Sequence, residues 1–512
     1  MPGIPTIAGA LLALVAGATA AQPPYSPGGW PTLHYDAGNR RAVPTSVLDN
    51  QYTTWSALPG ASVLTSPVTS PDGEVLYVAT GRAPGHANLQ ALSLDGELLW
   101  QSEPWQDADT GVDACAILSS PIVDTEGDIY LGDCNQLFAF KPNGALKWVI
   151  DLPPPTPHDW RAAGKHPVNA LTTAAFTTGG HIVGVTNFGD VTVVDRTTGK
   201  QLNLPFRLPS VPSPYADTYS MPDSLLGGGL MDANFREWAW QVIFAGNMRS
   251  ANTPAVARSG RVLVVGSSDR PGIGALFGLD IDHSVTPYIV RVAFATDIGI
   301  GSGSSPALSP DEKQVYVSDE AGWLYAIDSS LGNIVWKVET AAAAGAAAVG
   351  PDGRVYALQV YPAPAIIAVS DAGEVLWESD TAPLLADMPR SRLLGEPIVV
   401  ANGNPTVTAD ALLVPVILGY RIGFLGFNVA VRSTLAALDL QTGKAIKGLV
   451  DLVDDSSGIT AVLPGGTLVN SLGGLQTSAA SPISPVMNVI LPGDSHMLPP
   501  TGGIQVSTPR HR

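Results

Sequence analysis

Between Ser304 and Trp336 the chain reads SSPALSPDEKQVYVSDEAGWLYAIDSSLGNIVW, short apolar runs alternating with polar clusters. Residues 304–308 lead into a polar turn over 309–313. Gln314–Ser318 and Trp323–Asp328 follow, separated by Glu-Ala-Gly, and a Ser-Ser-Leu-Gly turn precedes 333–336. Apolar runs of this length bounded by Gly, Pro, Asp and Ser predict a four-stranded antiparallel meander. A lone meander buries one face well and leaves the other uncovered, so it needs neighbours of its own kind.

Those neighbours are in the chain. Residues 119–148 (SSPIVDTEGDIYLGDCNQLFAFKPNGALKW), 66–100 (SPVTSPDGEVLYVATGRAPGHANLQALSLDGELLW) and 347–377 (AAVGPDGRVYALQVYPAPAIIAVSDAGEVLW) repeat the pattern, and fainter copies begin at Thr173, Thr253 and Glu396. Their strongest shared element is Ala-x-Asp-x-x-x-Gly-x-x-x-Trp, complete at Ala326, Asp328, Gly332 and Trp336. Near 437–447 it keeps Ala437, Asp439 and Gly443 but has Lys447 in the Trp position. A period of roughly 40–50 residues with four strands each fits a propeller blade.

These repeats resemble the PQQ-like repeats of the quinoprotein alcohol dehydrogenase superfamily, whose motif ends in a Trp that docks between blades. Trp100, Trp148, Trp336 and Trp377 stand at that place. The resemblance runs from about residue 60 onward. It implies a β-propeller, and it leaves function divided between calcium- and quinone-dependent dehydrogenases and cofactor-free propellers such as the outer-membrane assembly lipoprotein.

Counting repeats from roughly 61, 115, 168, 250, 300, 341, 391 and 455 predicts an all-β, eight-bladed propeller of four-stranded antiparallel blades over residues 51–498. Seven blades stay compatible with the degenerate third, seventh and eighth copies. QYTTWSAL at 51–58 reads as a lone strand. GITAVL, TLVNSL and VMNVIL are the strand candidates between 458 and 491. The N-terminal strand is therefore expected to complete the last blade and close the ring, which removes both sheet edges. Residues 22–50, rich in Pro and Gly, are expected to wrap the outside, and 499–512 to form a disordered tail. Leu412 to Val431 is apolar but interrupted by Pro415 and Arg421, so it reads as two buried strands and not as a membrane span.

Composition sharpens this picture. Of 512 residues 45% are apolar and 14% charged, with 54 Gly and 44 Pro, which suits many short strands and tight turns. A formal net charge of −18 argues against nucleic acid and anionic membrane surfaces, both of which need a basic face. It suits a soluble monomer that is secreted or periplasmic. Residues 1–21 read as a signal peptide, with an apolar run from Ile4 to Val15 and small residues at Ala18-Thr19-Ala20. No Cys stands near the cleavage region, which excludes a lipoprotein anchor and counts against the assembly-lipoprotein role. The two cysteines, Cys115 and Cys134, are expected to meet, because a blade's first strand starts and its second strand ends on one face near the axis. A disulfide is the expected state and a buried thiol pair the alternative.

Long connections between blades are where function is carried on such scaffolds. Residues 103–118 are acidic (Asp107, Asp109, Asp113). Residues 153–169 gather His158, Asp159, Arg161, Lys165 and His166. The longest connection, 210–252, holds the aromatic stretch 232–245, with Arg249 and Asn252 at its exit. A quinoprotein needs oxygen ligands for calcium, an Asp base and flat apolar groups around the quinone. Asn187, Asn252, Asp319 and Glu396 are the cofactor-binding candidates, and Asp133, Asn135 and Asp269 also fall near axial strand ends. Asp and Asn are equally the default turn residues there. The adjacent Cys-Cys pair common in these alcohol dehydrogenases is missing, as is a C-x-x-C-H haem site. His158 and His166 lie eight apart without a third ligand, so no metal site is assigned. His158, His166, Arg249 and Asp269 are the catalytic candidates should the chain be an enzyme.

Three readings follow. The leading one is a cofactor-free module that binds a protein or small molecule at its loop-rich face. The second is a PQQ- and calcium-dependent dehydrogenase acting on an alcohol or sugar. The third is a lyase or hydrolase with its site in the axial funnel.

Overall fold

The computed structural model describes residues 23–510 apart from 62, 81–88, 103–118, 134–135, 154–168, 170, 172, 212–248, 251, 302–303, 341–344, 360–364, 423–426, 457, 475–476 and 478–479. Eight antiparallel sheets form the blades of a propeller. From blade 1 to blade 8 their innermost strands are Val68–Thr69, Ile122–Val123, Ala175–Phe176, Ala255–Val256, Ala307–Leu308, Ala348–Val349, Thr406–Val407 and Thr460–Val462. Each inner strand turns tightly into the second strand of its blade. In blade 5 that strand is Gln314–Ser318, followed by Trp323–Asp328 and Ile334–Glu339.

The hydrophobic pattern follows from this stacking. The inner three strands are covered on both faces, so Gln136–Phe140 in blade 2 and Ala365–Val369 in blade 6 are buried at every position. The outermost strands face solvent on one side, and Ile334–Glu339 alternates exposed with partly buried residues. The core is accordingly a ring of clusters between successive blades, with a single cluster spanning blades 7, 8 and 1. Examples are Val68, Leu131 and Phe138 between blades 1 and 2, and Ala307, Tyr316 and Ile367 between blades 5 and 6.

The Ala-x-Asp-x-x-x-Gly-x-x-x-Trp motif acquires a mechanism here. Ala326 lies opposite Trp336 in the ladder, and a bulge follows at Ile327. The same arrangement pairs Ala91 with Trp100, Ala139 with Trp148 and Ala368 with Trp377. The small residue leaves room for the ring, and the bulge re-aims the outer strand. Asp328 caps the turn, its Oδ1 accepting from the amides of Ser330 (2.9 Å) and Leu331 (2.7 Å). The glycine serves the preceding blade. Gly373 has φ +88°, and a Cβ there would stand 2.8 Å from the Trp336 ring, whose Nε1 donates to the Asp371 carbonyl at 2.8 Å. Trp100 docks in the same way on Gly144, Trp148 on Gly199 and Trp377 on Gly443. Trp55 does so on Gly96, with its Nε1 donating to the Leu94 carbonyl at 2.9 Å. In blade 4 Phe294 takes the position, against Gly332. In blade 7 it is Lys447, opposite Ala437, reaching the Leu48 carbonyl.

Ring closure uses both termini. Tyr52–Ala57 is the outer strand of blade 8 and pairs with Gly503–Pro509, which pairs in turn with Leu468–Leu472. The expectation of a disordered tail at 499–512 is therefore corrected. The GIQVSTP segment supplies the third strand of the last blade and is buried from Gly503 to Ser507. VMNVIL is likewise not a strand: Ser484–Ile490 is a short helix with Pro485 in its first turn, where a missing amide costs nothing. Leu412–Ile422 and Phe427–Leu438 are two strands of blade 7, in keeping with the reading of that apolar run, and among the described residues no helix is long and apolar enough to cross a membrane.

Residues 25–47 do not wrap the outside. They line the inside of the ring, pairing with the bare inner edges of the innermost strands. Thr69 N–H donates to the Trp30 carbonyl at 3.0 Å and Val123 to Pro31 at 2.9 Å. Val256 donates to Ala37 at 2.7 Å, Leu308 to Gly38 at 2.8 Å, and Val349 and Val407 to Arg40 and Arg41 at 2.9 Å. Phe176 N–H reaches the Tyr25 hydroxyl at 3.2 Å, and Val43 and Val47 pack with Leu463 and Leu468 of blade 8. An unpaired inner edge is costly when covered, and this segment satisfies it. Left-handed backbone at Tyr35, Asn39 and Arg41 (φ +76°, +58° and +51°) turns successive carbonyls toward different blades.

Candidate functional site

The two ends of the axis differ. One is formed by the turns between first and second strands and is occupied by the N-terminal segment. There Asp36–Arg40 (2.7 Å) and Arg258–Glu312 (3.1 Å) flank a shallow cleft of about 250 Å³. The other end receives the connections between blades and the links between second and third strands. It is the loop-rich end.

Side chains at the mouth of the loop-rich end begin at the first residues of the inner strands and form hydrogen bonds from blade to blade. Ser120 Oγ donates to the Ser66 carbonyl (2.9 Å), Ser305 Oγ accepts from Thr253 N–H (3.1 Å), and Thr406 Oγ1 donates to the Thr460 carbonyl (2.9 Å). The Ser and Thr residues that open the repeats, Ser66, Ser120, Thr253 and Ser305 among them each followed by Pro, thus knit the ring.

The residues singled out by sequence fall as follows. Asn252 is buried and its amide pairs with the backbone of one residue of blade 4: Nδ2 donates to the Val265 carbonyl (2.5 Å) and Oδ1 accepts from Val265 N–H (3.2 Å). Asn187 is buried, and its backbone carbonyl accepts from the amides of Arg249 (2.6 Å) and Ser250 (3.3 Å). Arg249 donates Nη1 to the Ser210 carbonyl at 2.6 Å. Asp269 occupies the exposed turn after Ser268, whose hydroxyl it accepts at 3.2 Å. These four share the blade 3–blade 4 region. Asp319 is elsewhere, buried in a blade 5 turn, its Oδ1 accepting from the amides of Ala321 (2.9 Å) and Trp323 (2.8 Å) and its Oδ2 from the Tyr325 hydroxyl (3.0 Å). Glu396 is not axial at all. It is 67% exposed and paired with Arg390 at 3.0 Å. The cofactor candidates therefore do not converge on one cation, and among the described residues no three His, Cys, Asp or Glu side chains cluster as a metal site. As placed here, Asn252, Asp319 and Glu396 have their polar atoms engaged by protein partners. His158, His166, Cys115, Cys134, Asn135, the acidic connection 103–118 and the aromatic stretch 232–245 lie outside the described residues.

Sequence reading missed two features of the loop-rich end. The first is the acidic pair Asp454–Asp455 between blades 7 and 8, both fully buried. Asp454 accepts from the amides of Thr501 (2.7 Å) and Gly502 (2.8 Å), and the Thr477 hydroxyl donates to Asp454 (2.6 Å) and Asp455 (2.9 Å). Burial, then the neighbouring charge of Asp455, pushes the Asp454 carboxyl up to about 6. An Asp-Asp dipeptide in a turn-rich chain gives no sign of this.

The second is a raised platform. The blade 7 hairpin runs beyond the blade proper, and Ile398–Ala401 adds a strand to it. The helix Ser484–Ile490 packs Met487 and Ile490 against Tyr420 and Val429 of that hairpin, with Leu394 and Met388 from the preceding connection. The opposite side of the helix is left bare: Val486 is 66% and Val489 82% exposed, and Leu393, beside the packed Leu394 in the chain, is 72% exposed. The SPVMNVI segment carried the signal, since apolar residues there occur at both helical and strand spacings.

Comparison with known proteins places this geometry. The family described as outer membrane protein assembly factor BamB matches residues 232–450. Among solved structures, a europium-containing methanol dehydrogenase is similar at 14% identity over 94% of this chain and 98% of that one, with a TM-score of 0.52. The quinohemoprotein alcohol dehydrogenase ADHIIG from Pseudomonas putida HK5 is similar at 14% identity over 95% of this chain and 82% of that one, with a TM-score of 0.54. At such identity the likeness is one of fold. No curated protein matches the sequence.

Proposed function

We propose that this chain, an eight-bladed propeller of PQQ-like repeats, is a binding module that holds a protein partner against the loop-rich end of its axis. The observation that carries the reading is the platform over blades 7 and 8, where Val486, Val489 and Leu393 stand exposed on a packed support. Apolar side chains presented together on a rigid base mark protein contact surfaces. The N-terminal segment occupies the other end, which leaves recognition to the loop-rich one. The matched family's description as an assembly factor favours a protein over a small molecule as the occupant.

The polar groups weigh against a quinone enzyme. Asn252 spends its amide on Val265, Asp319 is engaged by two amides and a hydroxyl, and Glu396 is exposed beside Arg390. Residues 1–21 would deliver the chain to the periplasm or beyond, where Cys115 and Cys134 would pair.

Two measurements test this. Calorimetric titration with pyrroloquinoline quinone, with and without calcium, should give no one-to-one binding tighter than about micromolar. Affinity capture on the wild-type chain should retain a partner that a Val486→Asp, Val489→Asp variant of unchanged melting temperature loses. Calcium-dependent quinone uptake would replace the proposal with a dehydrogenase.

A further inference from the structure

We infer that the N-terminal segment builds a buried anion site inside the ring, in which Arg41, seconded by His34, holds a small inorganic anion. Arg41 is 0% exposed. One Nη2 proton goes to the Ala346 carbonyl of blade 6, whereas Nε and Nη1 reach no acceptor. His34 is 3% exposed, and neither ring nitrogen has a partner. The two are adjacent: Arg41 N–H donates to the His34 carbonyl at 3.2 Å.

The contrast with the preceding residue is instructive. Arg40 is a quarter exposed and paired with Asp36 at 2.7 Å, so the one carboxylate of this segment that lies near is already spent. Arg41 has none, in a chain whose net charge is −18. Its placement is enforced by the backbone. The left-handed φ of +51° and the bond from Val407 N–H to the Arg41 carbonyl (2.9 Å) fix the residue in the channel.

A guanidinium buried with unmet N–H groups and no counter-charge is among the costliest arrangements in a protein interior. Burial alone pulls Arg41 down to about 9, and it holds His34 well below its usual range, the Arg41 charge adding to the effect. A neutral His34 has one ring N–H and one acceptor nitrogen, and in the tautomer and orientation that turn the N–H toward Arg41 it adds a donor to the unmet Nε and Nη1. Unmet N–H groups around a buried positive charge select an anion, and enclosure by the inner strands restricts it to a small one.

The test uses the whole mature protein in chloride-free gluconate buffer, with sodium chloride as the probe. An anion bound only by the folded state lowers the unfolded-to-folded ratio roughly tenfold for each tenfold rise in concentration above its dissociation constant. That logarithmic chloride response is expected in the wild type and not in Arg41→Met, which keeps an unbranched stem without the charge. Crystals of the wild type grown with sodium bromide give a reading independent of any variant. An anomalous bromide peak within hydrogen-bond distance of Arg41 Nε or Nη1 is expected. Equal chloride responses in both proteins, or only water beside Arg41 in the bromide crystals, would overturn the inference.

Discussion

Replacing Gly373 by Ala should cost far more than a surface turn glycine, and the excess should vanish when Trp336 is removed. The backbone at Gly373 has φ +88°, and its Cβ would meet Trp336 Cγ and Cδ2 at 2.8 Å. The left-handed conformation alone costs an Ala about 1 kcal/mol, and forcing a ring out of a filled site adds roughly 2 kcal/mol. Gly180 isolates the first term, since its φ is +81° and nothing lies within 4 Å of a Cβ there. Trp336→Ala by itself should cost about 3 kcal/mol, the low end for a large aromatic because the ring is half-buried, and it includes loss of the 2.8 Å bond to the Asp371 carbonyl. The double variant then keeps the backbone strain and the lost ring but not the clash. It should be less destabilised than the sum of the singles by about 1.5–2 kcal/mol. Urea denaturation followed by tryptophan fluorescence and circular dichroism measures the whole cycle. Additivity within about 0.5 kcal/mol would show that ring and glycine do not act as one joint between blades 5 and 6.

Other consequences follow from named contacts. Because the folded Asp454 carboxyl sits near 6 against an ordinary 3.8, its contribution to stability is fully present below about 3.8 and is lost as pH rises through about 6; Asp454→Asn should remove up to about 3 kcal/mol of that pH dependence, read as the wild-type-minus-variant difference in denaturation midpoint between pH 4 and 7. Truncation after residue 498 removes the strand that joins Leu468–Leu472 to Tyr52–Ala57, so the ring opens at blade 8 and a large drop in melting temperature is expected; an unchanged scan would contradict the pairing. Asn252→Ala takes a partner from both Val265 N–H and the Val265 carbonyl in a buried site and should lower stability by about 1–3 kcal/mol, and an effect on ligand affinity with stability intact would restore Asn252 to the binding machinery.

The blades were legible because each repeat carries its own punctuation. Gly, Asp and Trp recur where a turn, a cap and a docking ring are physically required, and closure by the 51–58 strand follows from the shortage of strands near the other end. Trp55 shows the limit of that logic. It docks on Gly96 just as Trp336 docks on Gly373, yet it is cut off from the Ala and Asp of its motif because its blade is assembled from both termini. Gly503–Pro509 escaped for a related reason. GIQVSTP is short, flanked by Pro and Gly, and a strand only because two others present edges on either side of it.

The N-terminal segment is the deeper case. Its residues have no periodicity, since a chain that moves to a new blade at residues 30, 31, 37, 38, 40 and 41 has neither a helical nor a strand repeat to display. Trp30 and Arg41 are fully buried and His34 nearly so, in a stretch whose Pro and Gly content reads as surface. What selects the conformation is the set of unpaired inner edges, a property of the closed ring that exists only once the blades are formed. The same dependence explains the misplaced ligands. Asn and Asp at axial strand ends are abundant because turns and inner edges need acceptors, and Asn252 and Asp319 satisfy those needs first. A side chain left over after the backbone has been served is the better guide to function in such a ring, and by that criterion Arg41, with two N–H groups unmet in the channel, outranks every residue that motif reasoning chose.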